Sequence, residues 1–220
     1  MKTKMRKISL ACMMAGMMLC SANVWGKSKV TSVGKAAVPG AVRIMVVGLP
    51  DNVSSNYYPI TMISEETGIP SDSVDAAYNS AIAQNIISSN KNENIKFFVP
   101  ADKGEVKTVM ERIGLKGDEA DEKQVDLSRV ESNAFREMLA RNNADYVLFL
   151  NQHYLKWQEK PMQTLFHITS YSLYDRTMQE VVHGNNNFTS INLENRERLC
   201  KDSRRSSSKI LSTIVKNLPR

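Results

Sequence analysis

Three long segments with the character of β-strands constrain the fold of this chain more than any other feature. They span residues 145–157, 162–174 and 180–188. The stretches between them, residues 158–161 and 175–179, are too short for a crossover between parallel strands. The sequence therefore predicts an antiparallel meander of three strands joined by short turns.

The first half of the chain instead alternates strands with helices. A β-branched, apolar strand spans residues 42–48, and a second, short strand spans residues 95–99. Apolar residues with helical spacing predict helices that begin near Ser71 and near Glu105. A third helix is predicted from a capping box formed by Ser128 and Glu131. Sequential strand–helix units favour parallel pairing and right-handed crossovers, so this half should add parallel strands to the meander.

The remaining segments are predicted to be loops and one closing helix. Residues 50–70 form a long loop, residues 116–125 form a charged loop, and residues 192–218 form the last helix. The fold class is therefore mixed α/β, with a mixed sheet of four to five strands and helices packed on it. The predicted order of elements is β-α-β-α-α-β-β-β-α, within a single domain at residues 41–218.

Residues 1–26 have the organisation of a secretory signal peptide. The head of the segment is basic, an apolar run follows over residues 8–19, and the segment ends in a V-x-G exit, Val24-Trp-Gly26. The run is shorter than the roughly 20 apolar residues that span a bilayer. We therefore predict cleavage after Gly26 and a periplasmic or secreted product, in which residues 27–40 form a flexible lead-in.

The cysteines leave one alternative to this processing and one unpaired thiol. Lipidation at Cys20 would tether the protein to a membrane, but Leu19 is larger than the residue that usually precedes a lipidated cysteine. Cleavage after Gly26 removes Cys12 and Cys20 and leaves Cys200 alone, so no internal disulfide is expected. Cys200 is interpreted either as a packed residue on a helix face or as a reactive thiol.

Charge argues against a nucleic-acid partner. The formal net charge of the chain is +6, and cleavage lowers it to +2 because Lys2, Lys4, Arg6 and Lys7 have no acidic counterparts in the signal segment. A weakly charged product lacks the basic surface that binds phosphate backbones. No nucleotide-binding motif occurs in the sequence, and no cofactor is expected.

Three segments resemble a known exported α/β domain. Residues 42–48 (VRIMVVG) precede a loop and a helix, and residues 134–148 (AFREMLARNNADYVL) contain a helix, an ADY step and a strand. Residues 172–182 (SLYDRTMQEVV) add a similar hairpin turn. This pattern resembles the domain shared by the curli-secretion proteins, the lipoprotein activators of penicillin-binding proteins and the N-terminal domain of the Tol-Pal propeller protein. The resemblance covers about residues 41–218 and implies a binding and assembly module rather than a catalyst.

His153 and His167 are the candidate metal ligands. If the turn between their strands is centred near Glu159, Leu165 pairs with His153, and His167 is a diagonal neighbour on the same sheet face. His183 joins them only if the second hairpin shifts by one residue. Such a cluster could bind Zn²⁺ or Cu²⁺, but no cysteine or carboxylate completes the set. The alternative is that these are separate histidines on a polar sheet face.

The sequence predicts binding rather than catalysis. No catalytic residue is assigned, because the sequence contains neither a G-x-S-x-G nucleophile motif nor a phosphate-binding loop. The contact candidates are Tyr57 and Tyr58, in the long predicted loop, and Trp157. We therefore predict a non-enzymatic exported module that binds another protein of the bacterial envelope. Two alternatives stay open: an exported hydrolase with a nonstandard site, and a protein that binds a metal or small ligand on the His-bearing sheet face.

Overall fold

The computed structural model describes residues 40–102, 104–118 and 122–218. The predicted signal peptide, and the predicted lead-in up to residue 39, lie outside the described residues. The strands are β1 (Val42–Gly48), β2 (Val53–Ser55), β3 (Ile95–Phe98), β4 (Gly114–Lys116), β5 (Gln124–Asp126), β6 (Tyr146–Gln158), β7 (Thr164–Asp175) and β8 (Glu180–Ser190). The helices are α1 (Ile60–Thr67), α2 (Val74–Ser89), α3 (Gly104–Met110), α4 (Ser132–Arg141), α5 (Arg196–Asp202) and α6 (Arg204–Asn217), and a 3₁₀ turn (Ser71–Ser73) precedes α2.

The main sheet is mixed, which confirms the predicted fold class, and its six strands slightly exceed the expected number. Its order is β3-β1-β6-β7-β8, and the short β2 pairs with β6 beyond the end of β1. β1 is parallel to β3 and β6, whereas β6, β7 and β8 are antiparallel neighbours. The meander and the parallel strands therefore share one sheet, while β4 and β5 form a separate antiparallel pair.

Helices cover both faces of the sheet because successive residues of a strand point to opposite sides. Met45 and Val47 of β1 pack with α3 and α4, while Ile44 and Val46 pack with α2 and α6 on the other face. These four side chains are at most 6 % exposed, so β1 is an unbroken apolar run in the sequence. Among the described residues, none of the helices combines the length and the apolar character needed to cross a membrane.

A third apolar cluster extends the core past the end of β1, where β6 and β7 continue as a long hairpin. Ile63 of α1, Tyr78 of α2 and Leu199 of α5 pack there with residues of the hairpin. The hairpin contributes Leu155 and Leu165, which are fully buried. The residues of the candidate functional site border this cluster.

The predicted loop at residues 50–70 is wrong, because the segment contains β2 and α1. Helix α1 follows Pro59, whose fixed φ suits a helix start. It ends at Gly68, which adopts the left-handed conformation with a φ of 70° that glycine tolerates best. The helix buries only Ile63 and Thr67, so its apolar stripe is too short to stand out in the sequence.

Two further segments differ from their predictions. Residues 116–125, predicted as a charged loop, contribute residues to both strands of the β4–β5 hairpin. The third helix begins at Ser132 with Glu131 as its N-cap, so the predicted capping box with Ser128 does not form. The Ser128 amide instead donates to the Asp126 carboxylate at 3.0 Å, which stabilises a turn at the place where the helix was expected to start.

The predicted closing helix is divided at Ser203 into α5 and α6. The Asn85 side chain of α2 donates to the Cys200 carbonyl at 2.6 Å and to the Ser203 hydroxyl at 2.9 Å. A side chain that inserts at a helical carbonyl in this way interrupts the ladder of backbone hydrogen bonds, which accounts for the break. Cys200 itself is half-buried, with its Sγ 3.8 Å from Asn85 Oδ1.

Candidate functional site

Tyr57, Tyr58 and Trp157 form a group of neighbouring rings at one end of the sheet, which we name the aromatic surface. The ring centroids of Tyr57 and Tyr58 are 5.0 Å apart, and that of Trp157 lies 6.0 Å from the first and 5.9 Å from the second. Tyr57 is 57 % exposed, while Tyr58 and Trp157 are half-buried against the third apolar cluster. The structure thus brings together the three contact candidates that the sequence suggested separately.

Two polar side chains fix the backbone that carries the aromatic surface. Asn56 donates from Nδ2 to the Trp157 carbonyl at 3.0 Å and accepts the Trp157 amide on Oδ1 at 2.7 Å. Its side chain therefore pairs with β6 as a further strand residue would. The Ser55 hydroxyl donates to the Leu155 carbonyl at 2.6 Å and accepts the two tyrosine amides at 3.1 and 3.0 Å. A surface held in this way loses less conformational entropy on binding.

Two more exposed apolar side chains lie at the same end of the sheet. Trp157 pairs with Leu165, and Leu165 pairs with Ser190, so these residues form one row across β6, β7 and β8. Met162 lies in the turn just beyond this row and is 72 % exposed, and Ile191 follows Ser190 and is 71 % exposed. Exposed apolar residues that collect in one place indicate an interaction surface, whereas scattered ones do not.

His153, a candidate metal ligand, is buried, and both of its ring nitrogens are hydrogen-bonded. Nε2 lies 2.9 Å from Oδ1 of Asn79, an amide oxygen that can only accept, and Nδ1 lies 3.3 Å from the Thr169 hydroxyl. His153 therefore carries its proton on Nε2 and accepts at Nδ1. Asn79 is fixed in turn, because its amide donates to the Leu49 carbonyl and exchanges hydrogen bonds with Asn52.

His167, the second candidate ligand, has its ring nearly parallel to two aromatic rings. Its ring centroid lies 4.3 Å from that of Phe188 and 6.3 Å from that of Tyr78, with planes inclined by 10° and 19°. Nε2 lies 2.9 Å from the hydroxyl of Ser190, which donates to the Asn192 carbonyl and so accepts from His167. Nδ1 is buried and has no hydrogen-bond partner among the described residues.

The strand pairing predicted for the two histidines is wrong, although they do share a sheet face. His153 pairs with Thr169 rather than with Leu165, a shift of four residues. An even shift keeps every side chain on its face, so His153 and His167 are still diagonal neighbours. His183 pairs with Ser172 and lies on the opposite face.

The environment of these histidines favours a structural role over metal binding. Burial, together with the neighbouring His167, lowers the pKa of His153 to about 3. Burial lowers the pKa of His167 to about 4, while the Asp202 carboxylate acts in the opposite sense. The space that these rings line does not admit a water molecule. Over residues 40–102, 104–118 and 122–218, no group of three or more His, Cys, Asp or Glu side chains is placed to hold a metal ion.

Sequence reasoning missed a polar group that lies beside His167. Tyr78 and Glu194 are buried, and the Tyr78 hydroxyl and Glu194 Oε2 have no hydrogen-bond partner in the part of the chain that the structure describes. Burial, a hydrogen bond with Asp202 and the charge of Asp202 raise the pKa of Glu194 to about 7, and Arg198 opposes them. Burial, and then Glu194, raise the pKa of Tyr78. Tyr78 falls on the apolar stripe of α2, so its position carries no signal beyond that of a core residue.

Comparison with known proteins finds structural likeness alone. No protein-family model and no curated protein matches this chain. The PelC dodecamer from Paraburkholderia phytofirmans is 12 % identical, covers 80 % of this chain and 91 % of its own, and has a TM-score of 0.38. The hypothetical protein CT253 from Chlamydia trachomatis is 8 % identical, and the match covers 80 % of this chain and 94 % of CT253 with a TM-score of 0.44. Lipoprotein GNA1162 from Neisseria meningitidis is 14 % identical, and the match covers 80 % of this chain and 96 % of the lipoprotein with a TM-score of 0.33. Likenesses of this strength carry no argument about function, and the resemblance drawn from the sequence stays a prediction.

Proposed function

We propose that this protein is an exported, non-enzymatic module that binds another protein of the bacterial envelope through its aromatic surface. The observation that carries the proposal is the group of Tyr57, Tyr58 and Trp157, which is partly exposed and held by side-chain hydrogen bonds. Aromatic residues are enriched at protein interfaces, because a large rigid ring buries much area at low entropic cost. The signal-like residues 1–26 support export and therefore a partner in the envelope.

Tyr57 is the member of the aromatic surface that is best placed to contact a partner. It is 57 % exposed, whereas its two aromatic neighbours are half-buried and pack on the third apolar cluster. An exposed ring on a supported base has the character of an interface hot spot. Truncating such a residue typically costs about 2 kcal/mol or more, which corresponds to roughly 30-fold in affinity.

Tyr57→Ala is therefore the variant that tests the proposal. Replacing Tyr58 as well would confuse the result, because Tyr58 packs on the core and its loss would lower stability too. Wild-type and Tyr57→Ala proteins are used to capture partners from an envelope extract, and the affinity for each captured protein is then measured. We expect binding about 30-fold weaker for Tyr57→Ala, with a change in stability of less than about 0.5 kcal/mol.

Val99→Ala provides the matched control. Val99 follows β3, away from the aromatic surface along the sheet, and is 52 % exposed, so its substitution alters an apolar side chain of similar fractional exposure. The control protein should bind as the wild type does. Undiminished binding by a stable Tyr57→Ala protein would exclude the aromatic surface from the interface.

A further inference from the structure

The aromatic surface presents hydrogen-bond donors that the fold does not use. The Tyr57 hydroxyl, the Tyr58 hydroxyl and Nε1 of Trp157 make no hydrogen bond within the described residues. Burial and the Glu66 carboxylate raise the pKa of Tyr58, so this hydroxyl keeps its proton at neutral pH. Indole Nε1 can only donate. A matching ligand therefore offers acceptors together with apolar groups that pack on rings.

A proline-rich segment in the polyproline II conformation has both properties. Its carbonyl groups are free acceptors because this helix has no internal hydrogen bonds, and proline has no amide hydrogen of its own to satisfy. Its rings pack well in aromatic-lined grooves, and its preformed backbone loses little entropy on binding. We propose that the aromatic surface binds an extended, proline-rich segment of the partner protein. This inference rests on the proposed function and names the chemistry of the partner.

The spacing of the rings fits this ligand. The centroids of Tyr57 and Trp157 are 6.0 Å apart and their planes are inclined by 32°. Two residues of a polyproline II helix rise about 6.2 Å, and residues two apart lie on adjacent edges of this three-sided helix, so each can cover one ring. The ring of Tyr58 is nearly perpendicular to both, at 84° to Tyr57 and at 78° to Trp157.

A ligand that adds a β-strand at this place is disfavoured. Strand addition needs the free amide and carbonyl groups of a sheet edge. Beside the aromatic surface, the Asn56 side chain already bonds both the amide and the carbonyl of Trp157. At Trp157, recognition therefore has to come from side chains, as in aromatic-lined sites for proline-rich segments.

The fluorescence of Trp157 reports directly on the proposed contact. The chain has two tryptophans, Trp25 and Trp157, so the full chain carrying Trp25→Phe leaves Trp157 as the single probe. This protein is titrated with decaproline, with a Gly-Ser peptide of equal length, and with vesicles of phosphatidylethanolamine and phosphatidylglycerol. We expect a saturable change in Trp157 emission with decaproline and binding at least about ten-fold weaker for the Gly-Ser peptide.

Two tyrosine variants separate the hydroxyl from the ring. Tyr57→Phe removes one donor and keeps the ring, and we expect it to weaken decaproline binding about three- to ten-fold, as loss of one hydrogen bond does. Tyr57→Ala should reduce binding further. Tyr146→Phe, at the other end of β6, is the matched control and should bind as the wild type does.

Three results would overturn the inference: no response to decaproline, equal affinity for the Gly-Ser peptide, or decaproline binding that survives Tyr57→Ala. A response to vesicles alone that Tyr57→Ala abolishes would also overturn it and would identify the aromatic surface as a lipid contact. If decaproline fails while capture of an envelope protein still depends on Tyr57, the proposed function stands and only the proline-rich ligand is excluded. If both fail, the aromatic surface has no binding role.

Discussion

Replacing His153 or His167 should make this protein less sensitive to acid. Both histidines are buried and neutral, and burial holds the pKa of His153 at about 3 and that of His167 at about 4. In the unfolded chain each has the ordinary pKa of about 6.5. At a pH between the folded and the unfolded pKa values, unfolding therefore takes up protons. The stability that burial of the neutral histidines provides above pH 6.5 is lost as the pH falls below that value.

The size of this effect follows from the two protonation states. At pH 5 each unfolded histidine is protonated and each folded one is still neutral, so the folded state loses about 1.36 kcal/mol for each pH unit below 6.5. This amounts to about 2 kcal/mol per histidine between pH 8 and pH 5, and about 4 kcal/mol for the pair. A loss of that size is a large part of the 5–15 kcal/mol that stabilises a typical domain.

Urea unfolding at pH 8 and at pH 5 measures the difference directly. His153→Gln and His167→Gln should each reduce the loss of stability between the two pH values by about 2 kcal/mol, whatever each substitution costs at pH 8. His183→Gln, which alters an exposed histidine on the opposite face, is the control. If both interior variants keep the full wild-type loss, the reasoning from neutral burial is wrong.

Three further substitutions test the packing and the buried carboxylate. Leu211→Asp should abolish the cooperative thermal transition seen by circular dichroism, because it places an unpaired charge in the second apolar cluster; an unchanged melting temperature would show that α6 is not packed there. Glu194→Gln should raise the melting temperature at pH 8 and have less effect at pH 5. The pKa of Glu194 is about 7 in the folded state and 4.5 in the unfolded chain, so its ionisation destabilises the fold increasingly as the pH rises from 4.5 through 7. An equal effect at both pH values would contradict this. Gly48→Ala should lower the melting temperature by several degrees, because the new Cβ would collide with the hydrogen-bonded side chain of Asn79. Gly114→Ala is the control, since its Cβ would make only an ordinary van der Waals contact. Equal melting temperatures for the two variants would refute the clash.

The fold was predictable where burial leaves a repeating pattern. The apolar run of β1 and the stripe of α2 are each long enough to identify an element, and the short turns of the meander fix antiparallel pairing. The segment at residues 50–70 has no such pattern, because β2 is short and α1 buries only two side chains. The break at Ser203 was not predictable either, since it depends on Asn85 from a different helix.

The histidines show which part of a strand pairing the sequence determines. Alternation along β6 and β7 places the side chains of His153 and His167 on the same face of the sheet. A shift of the strand pairing by any even number of residues keeps them on that face. The partner of each histidine depends instead on where the turn lies, because residues 152–158 pair without interruption with residues 164–170. Polar residues near the turn suit several positions equally well, so the face could be predicted and the pairing with Thr169 could not.

The aromatic surface depends on a contact that no local pattern records. Tyr57 and Trp157 come from distant parts of the chain, and the Asn56 side chain joins these parts by bonding both backbone groups of Trp157. Asparagine is common in loops, where it usually bonds to its own neighbours, so the sequence alone does not distinguish this residue from other asparagines. Residue type can therefore predict that these aromatic side chains contact a partner, but only the tertiary fold shows that they can do so together.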